Sequence, residues 1–514
     1  MRVRQPMILA LILLAAQLAL AQGPEEWEPT YIEEPGICGG VICGPSGAFT
    51  VETFPTVIDI DWGAFPANPL RPHQPAEGGR IWHVATEGED GASGEAGDPL
   101  ASIERAATLA QRGDLILVAD GEYPVGVYDD SILLSTPGVT LAAEHIGGAA
   151  LVPRSADWDW LPAITASADD LVIDGFVIRG FQDGAGVYFG RTETQRNLVL
   201  RHLWIEGAGD AIRSIIPDVS PNPVPVVEGL LVYDVAIRRA LIGFNCGEGP
   251  CDDVRFEALS VDLATGADVE TGSWGDAVAI ESGDNVVVFN AEITGAGADG
   301  LDFKATRVAV ANVIVHDLGR NGIKLWHDGD VINALVYNTG ADAAIVFDGG
   351  GTCRILHSTI ARHAYGEQAY AGAVAYDHPE DPGRLTVINS IFYQNSGALW
   401  VSGAFELDVR KTLFYDPANG QGLIWARQNE VIIGPGALPF AALATAGGGC
   451  CGLDFFDPGF VDPEAGDYRL GPLAMARDIG LYTNVEALPP FDLLGNPRVV
   501  SGGADLGPYE MPAE

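Results

Sequence analysis

Lysine is almost missing from this 514-residue chain, which has three lysines among its 28 basic residues. Long apolar stretches are missing too. Beyond residue 20 nothing approaches the roughly 20 apolar residues of a membrane-spanning helix, so we expect no membrane insertion of the mature protein. The 70 acidic residues leave a formal net charge of −42. Because such a surface repels polyanions, nucleic acid is excluded as a partner.

The first residues have the features of a secretory signal. Arg2 and Arg4 form the charged start, Met7 to Leu20 the apolar stretch, and Ala19-Leu20-Ala21 the cleavage site. This pattern predicts a signal peptide over residues 1–21 and a secreted or cell-surface protein. Residues 22–78 are rich in proline and glutamate and lack periodicity, which predicts a linker or stalk.

Seven cysteines suit an oxidising compartment, and none has zinc-finger spacing. Cys38 and Cys43 are close enough in sequence to form a disulfide, and so are Cys246 and Cys251. Cys353 falls on an inward strand position and is expected to be a small buried apolar residue. The pairing of the other cysteines stays open.

Short β-branched runs separated by Gly, Asp and Asn recur from Ile81 onward, with almost no helical period. The residue four places after the first inward apolar position marks nine repeats: His202, Asp234, Ala258, Asn290, Asn312, Asn333, His357, Asn389 and Lys411. The steps between them are 32, 24, 32, 22, 21, 24, 32 and 22 residues. A second strand follows each run, and its Leu301, Ile323 and Ile345 are each 22 residues apart.

A fixed period made of strands and turns predicts a solenoid, because one coil cannot bury its own apolar side. The recurrent asparagine suits a left-handed turn, and its amide can bond to the same residue one coil away. Leucine-rich repeats and propellers are excluded, since the leucine framework and the longer blades are missing. The sequence therefore predicts an all-β fold, a single-stranded parallel β-helix over residues 79–514.

Both ends of this region resemble those of secreted right-handed parallel β-helix proteins of the pectate-lyase-like superfamily. The resemblance rests on Trp82-His-Val-Ala-Thr-Glu-Gly-Glu-Asp-Gly, Pro99-Leu-Ala-Ser-Ile-Glu-Arg-Ala-Ala, Gly113-Asp-Leu-Ile-Leu-Val-Ala-Asp-Gly-Glu-Tyr123, Asp457-Pro-Gly-Phe-Val-Asp-Pro-Glu-Ala-Gly-Asp-Tyr-Arg-Leu470 and Gly503-Ala-Asp-Leu-Gly-Pro-Tyr-Glu510. It covers roughly residues 80 to 510. It implies a right-handed solenoid, a capping helix at about Leu100 to Gln111 and a C-terminal capping region from about residue 430. Many activities share this fold.

Alternation along the second strand decides which side chains face solvent. With Leu301, Phe303 and their equivalents inside, three outward columns are expected. They hold Ala279, Asp302, Lys324 and Val346; then Glu281, Lys304, Trp326 and Asp348; and, at the strand entrance, Asp276, Asp299 and Asn321. The columns predict a contiguous acidic, basic and aromatic surface.

Two of the three lysines lie on adjacent rungs of that surface, and they permit two interpretations. The pKa of lysine can be lowered, so Lys304 or Lys324 is a candidate catalytic base, with Asp302 as the third catalytic candidate. The alternative is a ladder of opposite charges, in which Asp302 lies over Lys324 and Lys304 lies between Glu281 and the face of Trp326.

The stretch Ala298-Asp-Gly-Leu-Asp-Phe-Lys304, followed by Arg320-Asn-Gly-Ile-Lys324, resembles the metal-binding stretch of family-9 pectate lyases. There an Ala-Asp-Gly motif is followed one coil later by Asp-Asp-Gly-x-Asp. Asp299 matches the first aspartate, whereas Arg320, Asn321 and Lys324 replace three aspartates, which removes most of the calcium ligands. Calcium is still the one cofactor that the sequence suggests, because oxygen ligands suit it. Its candidate ligands are Asp276, Asp299, Glu281 and Asp302.

As a lyase, the protein would abstract the proton alpha to a uronate carboxylate and then eliminate the 4-linked sugar. One lysine would be the base, and the other, with Arg320, would hold the carboxylate. Trp326 would offer an apolar face to a sugar ring, with Asp348 as a further substrate contact. A glycoside hydrolase is the alternative enzyme, because the acidic columns supply carboxylate pairs.

The sequence thus predicts a protein that binds or cleaves an extracellular polysaccharide, with a polyuronate lyase as the enzyme hypothesis. A non-catalytic surface or adhesion module that uses the solenoid as a scaffold is the competing hypothesis. The oligomeric state stays open.

Overall fold

The structure is a computed structural model. It describes residues 37–38, 41–44, 47–50, 73–126, 131–155, 161–190, 193–214, 227–247, 249–263, 275–340, 343–349, 351–363, 373–395, 397–416, 424–426, 431–433, 451–454, 456–482, 489, 491–500 and 503–511. The predicted signal peptide, at residues 1–21, lies outside the described residues.

A small antiparallel sheet lies inside the segment predicted as a linker. It consists of β1 (Ile37–Cys38), β2 (Val41–Gly44) and β3 (Gly47–Thr50). Only the backbone is described there, so a pairing of Cys38 with Cys43 stays open.

The first coils of the solenoid are built from short strands and one helix. In chain order they are β4 (Ile81–Val84), α1 (Ile103–Leu109), β5 (Leu115–Val118), β6 (Gly121–Val125), β7 (Ile132–Leu134), β8 (Thr140–Ala143), β9 (Ala149–Pro153), β10 (Ile164–Ala166), β11 (Val172–Asp174), β12 (Phe176–Arg179) and β13 (Ala185–Phe189).

The middle coils have longer strands that run through the turns. They are β14 (Gln195–Glu206), β15 (Asp210–Ser214), β16 (Val227–Arg238), β17 (Ile242–Cys246), β18 (Cys251–Asp262), β19 (Val278–Thr294), β20 (Leu301–Leu318), β21 (Ile323–Leu325), β22 (Gly329–Thr339), β23 (Ile345–Phe347), β24 (Gly351–Leu356), β25 (Thr359–Ala361), β26 (Val374–Ile388), β27 (Ile391–Tyr393) and β28 (Leu399–Tyr415).

The C-terminal elements are β29 (Ile424–Ala426), β30 (Val431–Ile433), β31 (Cys451–Asp454), β32 (Phe460–Asp462), a 3-10 helix (Pro463–Ala465) and β33 (Asp467–Leu470). From β4 to β28 each strand pairs in parallel with the strand one coil away. Strands stacked in this way form a parallel β-helix, as the repeat predicts.

The turns confirm the marker of the repeat. All nine marker residues, from His202 to Lys411, have positive φ angles between 46° and 55°. The asparagines also bond from coil to coil, since Asn312 Nδ2 donates to Asn290 Oδ1 and Asn333 Nδ2 donates to Asn312 Oδ1, each at 3.1 Å. Asparagine tolerates this left-handed conformation better than most residues, which explains its recurrence.

The core is one continuous apolar cluster inside the coils, and it extends from Trp82 to Phe414. The helix α1 is shorter than predicted and begins after Ser102, whose side chain accepts a hydrogen bond from the Arg105 N–H. Its Ile103, Ala106 and Ala107 are buried in that core, so the helix caps the first coils. Cys353 is buried and unpaired, as expected, and Cys246 and Cys251, which are close enough in sequence to pair, form a disulfide. Among the described residues no helix is long and apolar enough to span a bilayer.

The described part of the predicted C-terminal capping region covers a side of the solenoid. The outward residues Leu335, Ala361, Ile391 and Leu413, on successive coils, pack with Tyr468, Leu470, Ala476, Leu493 and Leu506. Polar contacts accompany this packing, since Asn389 exchanges two hydrogen bonds with the Leu481 backbone. The apolar outward positions of these coils are therefore removed from water by the chain's own C-terminal segment.

His316 lies at the margin of this contact, stacked on Tyr337 with ring centroids 4.7 Å apart, and Tyr337 packs on Tyr468. Burial lowers the pKa of His316, but its hydrogen bonds and ion pairs with Asp317 and Glu292 raise it to about 9. Since the folded-state pKa exceeds the ordinary 6.5, the protonated ring stabilises the fold below about pH 6.5. This contribution is lost as the pH rises through about 9.

We therefore expect the free energy of unfolding to fall by about 1–3 kcal/mol between pH 6 and pH 9.5 because of this one group. Urea unfolding at both pH values measures it. The variant His316→Gln removes the titrating ring and should show a correspondingly smaller fall. An equal fall in both proteins would show that His316 is not responsible.

Candidate functional site

The predicted surface lies on the outward face of the second strands. The backbone register pairs Ala279 with Asp302, Asp302 with Lys324, and Lys324 with Val346. The side chains on either side of this column, such as Leu301 and Phe303, are fully buried in the core. The first column is therefore in the predicted register, but Ala279, Asp302 and Val346 are buried and only Lys324 is half-buried, which corrects the expectation of an exposed column.

Lys304 is the centre of an ion-pair cluster. Its ammonium forms a hydrogen-bonded ion pair with Glu281, and it lies 3.9 Å from Asp302 Oδ2. It also lies 5.3 Å from the centre of the Trp326 ring. These are the contacts that the charge-ladder interpretation predicts, and they bring together the side chains that the enzyme interpretation requires.

Trp326, which belongs to the second column, is held in place by two side chains of the first column. Its indole N–H donates to Asp302 Oδ1 at 2.8 Å, and the Lys324 ammonium lies 4.6 Å from its ring centre. An indole flanked by two cations is stabilised by cation–π attraction. Asp302 is only 7% exposed, so it acts on this surface by positioning Trp326 and by its charge.

The electrostatics separate the two lysines. Partial burial lowers the pKa of Lys304, but the hydrogen bond to Glu281 and the charges of Asp302, Glu281 and Asp276 more than offset this, so its pKa is raised. A raised pKa is the opposite of what a lysine base requires. Lys304 is therefore a fixed cation, which leaves Lys324 as the lysine candidate for a base.

The pKa of Asp302 is also shifted. Burial raises its pKa, although the charges of Lys324 and Lys304 and the hydrogen bond from Trp326 oppose the effect. The carboxylate is thus costly to ionise without its cationic neighbours. Removing a lysine would leave a buried charge with fewer partners.

The third predicted column is mostly buried. Asp299 and Asn321 are 3% and 2% exposed. The Asp299 N–H donates to Asp276 Oδ1, and Asp299 Oδ1 accepts from the backbone N–H and the side-chain amide of Asn321. The Asn321 Oδ1 in turn accepts from the Ala343 N–H. The column is a ladder that satisfies the backbone at the strand entrance, which corrects the expectation of an outward-facing surface.

Asp276 ends this ladder and is half-buried. Desolvation raises its pKa to about 7, helped by the charges of Asp299, Asp302 and Glu281 and opposed by the hydrogen bond from the Asp299 backbone. A carboxyl group in this range exchanges protons near neutral pH. The sequence places Asp276 in the third column as a candidate calcium ligand, whereas its raised pKa follows only from burial beside like charges.

Calcium binding at Asp276, Asp299 and Glu281 stays a prediction. Asp299 already accepts two hydrogen bonds on one oxygen, and Glu281 is paired with Lys304. Among the described residues, three metal-ligating side chains come within 4.8 Å of one another elsewhere, at Asp478, Asp505 and Glu510.

The two remaining substrate candidates lie next to the cluster by register. Arg320 precedes Asn321 and its backbone N–H donates to the Ala298 carbonyl, while the Asp348 N–H donates to the Leu325 carbonyl. Both side chains are half-buried.

The first column becomes apolar one coil beyond Lys324. It continues there as Val346, Ala375 and Trp400, which pack with Ala343 and are buried. A cavity of about 690 Å³ lies in an earlier part of the solenoid, where Arg179, Gln182, Glu206 and Arg239 line it. None of the cluster residues lines that cavity. An open solenoid face needs no deep pocket to bind a polymer, so the side chains of the cluster define the candidate site.

Comparison with known families confirms the hand of the solenoid. Residues 267–414 match the family described as the right handed beta helix region. The fold is therefore a right-handed parallel β-helix. None of the curated proteins compared with the chain is significantly similar to it.

Solved structures with a similar course of the chain include several carbohydrate-related proteins. Pectate lyase Pel9A is 13% identical, with 84% of this chain and 96% of that chain covered and a TM-score of 0.47. XylC in complex with xylose is 9% identical, with 84% and 98% covered and a TM-score of 0.49. The A-module of the mannuronan C-5 epimerase AlgE4 from Azotobacter vinelandii is 14% identical, with 66% and 86% covered and a TM-score of 0.40.

Proposed function

We propose that this right-handed parallel β-helix protein is secreted and cleaves an extracellular polyuronate by elimination. One observation carries the proposal: Asp302, Lys304, Lys324 and Trp326 form one cluster on an outward face of adjacent coils. The cluster contains two of the chain's three lysines in a protein of net charge −42.

The cations supply what a polyuronate requires. A uronate carboxylate must be neutralised before the neighbouring proton becomes acidic enough to leave. Lys304, fixed by Glu281, and Arg320, one coil further, are the groups that would hold that carboxylate. The acidic surface elsewhere repels a polyanion, so this patch would also decide where the polymer binds.

The reaction then needs a proton acceptor. Lys324, which would act as the neutral amine, is the candidate, because its Nζ lies 4.6 Å from the centre of the Trp326 ring, on which a sugar would stack. The base takes the proton alpha to the carboxylate, a carbon–carbon double bond forms, and the bond to the 4-linked oxygen breaks. That oxygen leaves with the electron pair of the broken bond and takes up a proton from water. The half-buried Asp276, with a pKa of about 7, supports proton exchange at this face. The two roles considered for Asp276 exclude each other. If Asp276 exchanges protons it does not hold calcium, because a bound cation keeps a carboxylate ionised.

The contacts within the cluster also favour a second candidate, a binding module without catalysis. Lys304 is neutralised by Glu281 and Asp302, as in an ordinary charge ladder. Such a surface can bind a glycan through Trp326 and the polar side chains around it without any reaction. The two candidates differ in whether a product is formed.

The test is release of ultraviolet-absorbing unsaturated products from pectate, alginate and glycosaminoglycans, with and without calcium. We expect product from one of these polymers, and we expect Lys304→Ala combined with Lys324→Ala to abolish it. The matched control is Lys411→Ala, which removes the third lysine at a turn outside the cluster. Binding of a glycan with no product from any polymer would contradict the lyase and favour the binding module.

A further inference from the structure

A compact acidic cluster lies in the C-terminal segment, away from the candidate site. One ligand oxygen from each of Asp478, Asp505 and Glu510 comes within 4.8 Å of the others. Asp505 and Glu510 are 1% and 3% exposed, whereas Asp478 is exposed. Three carboxylates at such a separation cannot all be ionised without a compensating positive charge.

Backbone hydrogen bonds organise the cluster and leave one oxygen without a partner. Asp505 accepts from the N–H groups of Asp478 and Met511, and Glu510 Oε2 accepts from the Asp505 N–H at 3.1 Å. Glu510 Oε1 is buried and has no hydrogen-bond partner. A buried carboxylate oxygen of this kind needs a donor or a cation, because leaving it unpaired costs free energy.

Arg498 does not provide that partner. Arg498 Nη1 lies 3.6 Å from Glu510 Oε2, on the oxygen that is already bonded. The same guanidinium donates to the carbonyls of Gly507 and Pro508 and to Asn333. Asp492 adds a further carboxylate, which accepts the Glu510 N–H at 2.8 Å. The local balance therefore stays negative.

We propose that Asp478, Asp505 and Glu510 bind a divalent cation of the calcium type. Calcium prefers carboxylate oxygens and tolerates irregular ligand sets, and the unpaired Glu510 Oε1 would gain a partner. The left-handed backbone at Asp478, with φ of 56°, brings its exposed carboxylate to the two buried ones. Asp478 would be the ligand on the solvent side, through which the ion enters.

The proposed ion would join two parts of the segment that covers the solenoid. Asp478 lies 27 residues before Asp505 in the sequence, and the Gly480 N–H donates to the Ala504 carbonyl beside them. The residues around both parts, including Ala476, Leu493 and Leu506, pack on the outward side chains of the solenoid. Cation binding should therefore stabilise this covering segment, independently of any activity at the candidate site.

The test uses the full chain after treatment with a chelator and dialysis. Calcium binding is measured by calorimetry, and the thermal midpoint is measured with calcium and with chelator. We expect a calcium ion at this site and a rise in the midpoint of about 2–6 °C at saturating calcium. Asp478→Asn keeps the size of the side chain and tolerates the positive φ, and it should abolish both the ion and the rise.

Two controls locate the ion. Asp253→Asn changes an aspartate that also has a positive φ but lies outside the cluster, and it should bind calcium as the unmodified chain does. Asp276→Asn tests the other predicted calcium ligands and should leave this ion in place. The proposal is overturned if no calcium binds, if Asp478→Asn binds it normally, or if only Asp276→Asn abolishes binding.

A shared proton is the competing way to neutralise the cluster. In that case Glu510→Gln would mimic the neutral carboxyl group and raise the midpoint at pH 8 in the presence of chelator, with no effect of calcium on the unmodified chain. That result would also overturn the proposal. A failed search for polyuronate cleavage would leave this inference untouched, because its readout is metal content and stability.

Discussion

Replacing Lys324 by alanine should lower the rate of polyuronate cleavage by a factor of about 10²–10³, the range found when one preorganised charged or hydrogen-bonding group is lost. The Lys324 ammonium lies over the Trp326 ring and pairs by register with Asp302. Lys324 is only half-buried, and Lys304 and Trp326 still contact the buried Asp302, so the fold should lose about 1–2 kcal/mol. Initial rates at saturating and limiting polymer, with the thermal midpoint as the stability readout, measure the effect.

The variant Lys324→Arg separates the two roles open to this residue. Arginine keeps the positive charge but stays protonated, so it can hold a carboxylate but cannot accept a proton. If Lys324 is the base, Lys324→Arg should be as inactive as Lys324→Ala. If it only neutralises charge, the arginine variant should retain most of the rate. Normal activity of Lys324→Ala would exclude both roles and with them the proposed site.

Replacing Asn389 by valine should lower the free energy of unfolding by about 3–5 kcal/mol, the largest stability effect that we expect from a single turn residue. Asn389 is fully buried with φ of 52°, a conformation that a β-branched residue adopts only with strain. Its side chain exchanges hydrogen bonds of 2.7 and 2.8 Å with the Leu481 backbone and contacts His357 Nε2 at 3.0 Å. Valine would leave these groups buried without partners.

Asn338→Val is the matched control for the backbone strain. Asn338 has φ of 51°, but its side chain makes an exposed hydrogen bond to Asp317. This variant should cost about 1–2 kcal/mol, since it adds the same strain without breaking the contact to the C-terminal segment. Urea unfolding of both variants gives the comparison. Equal costs would mean that the Asn389 bonds do not fasten that segment.

Much of the fold could be predicted because each coil repeats the same pattern of inward apolar residues and turn residues. The positions of the nine marker residues follow from inward apolar spacing, and each has a positive φ. The pairing of Asp302 with Lys324 follows from the same spacing, because the strands of adjacent coils lie side by side in parallel register. The helix was expected at Leu100 to Gln111 and spans Ile103–Leu109, a difference confined to its ends.

The site was predicted less completely, because its chemistry depends on burial. The alternation rule assigns Asp299 and Asn321 to a surface, whereas they lie at the strand entrance, where backbone groups need partners and the side chains turn inward. The enzyme interpretation requires a lowered pKa for either Lys304 or Lys324, and the spacing cannot choose between them. The pKa of Lys304 is raised, because Glu281 and Asp302 contact the ammonium. The spacing of residues in the sequence predicts neither effect.

The sequence by itself determined the solenoid, its period and the rungs on which Asp302, Lys304, Lys324 and Trp326 meet, because these follow from local spacing repeated coil after coil. Only the tertiary structure decided which outward side chains are covered by the C-terminal segment, where Asp276 is desolvated, and that Asp478 lies beside Asp505 and Glu510. The reason is physical. Desolvation and long-range packing depend on distances between parts of the chain that no local pattern encodes.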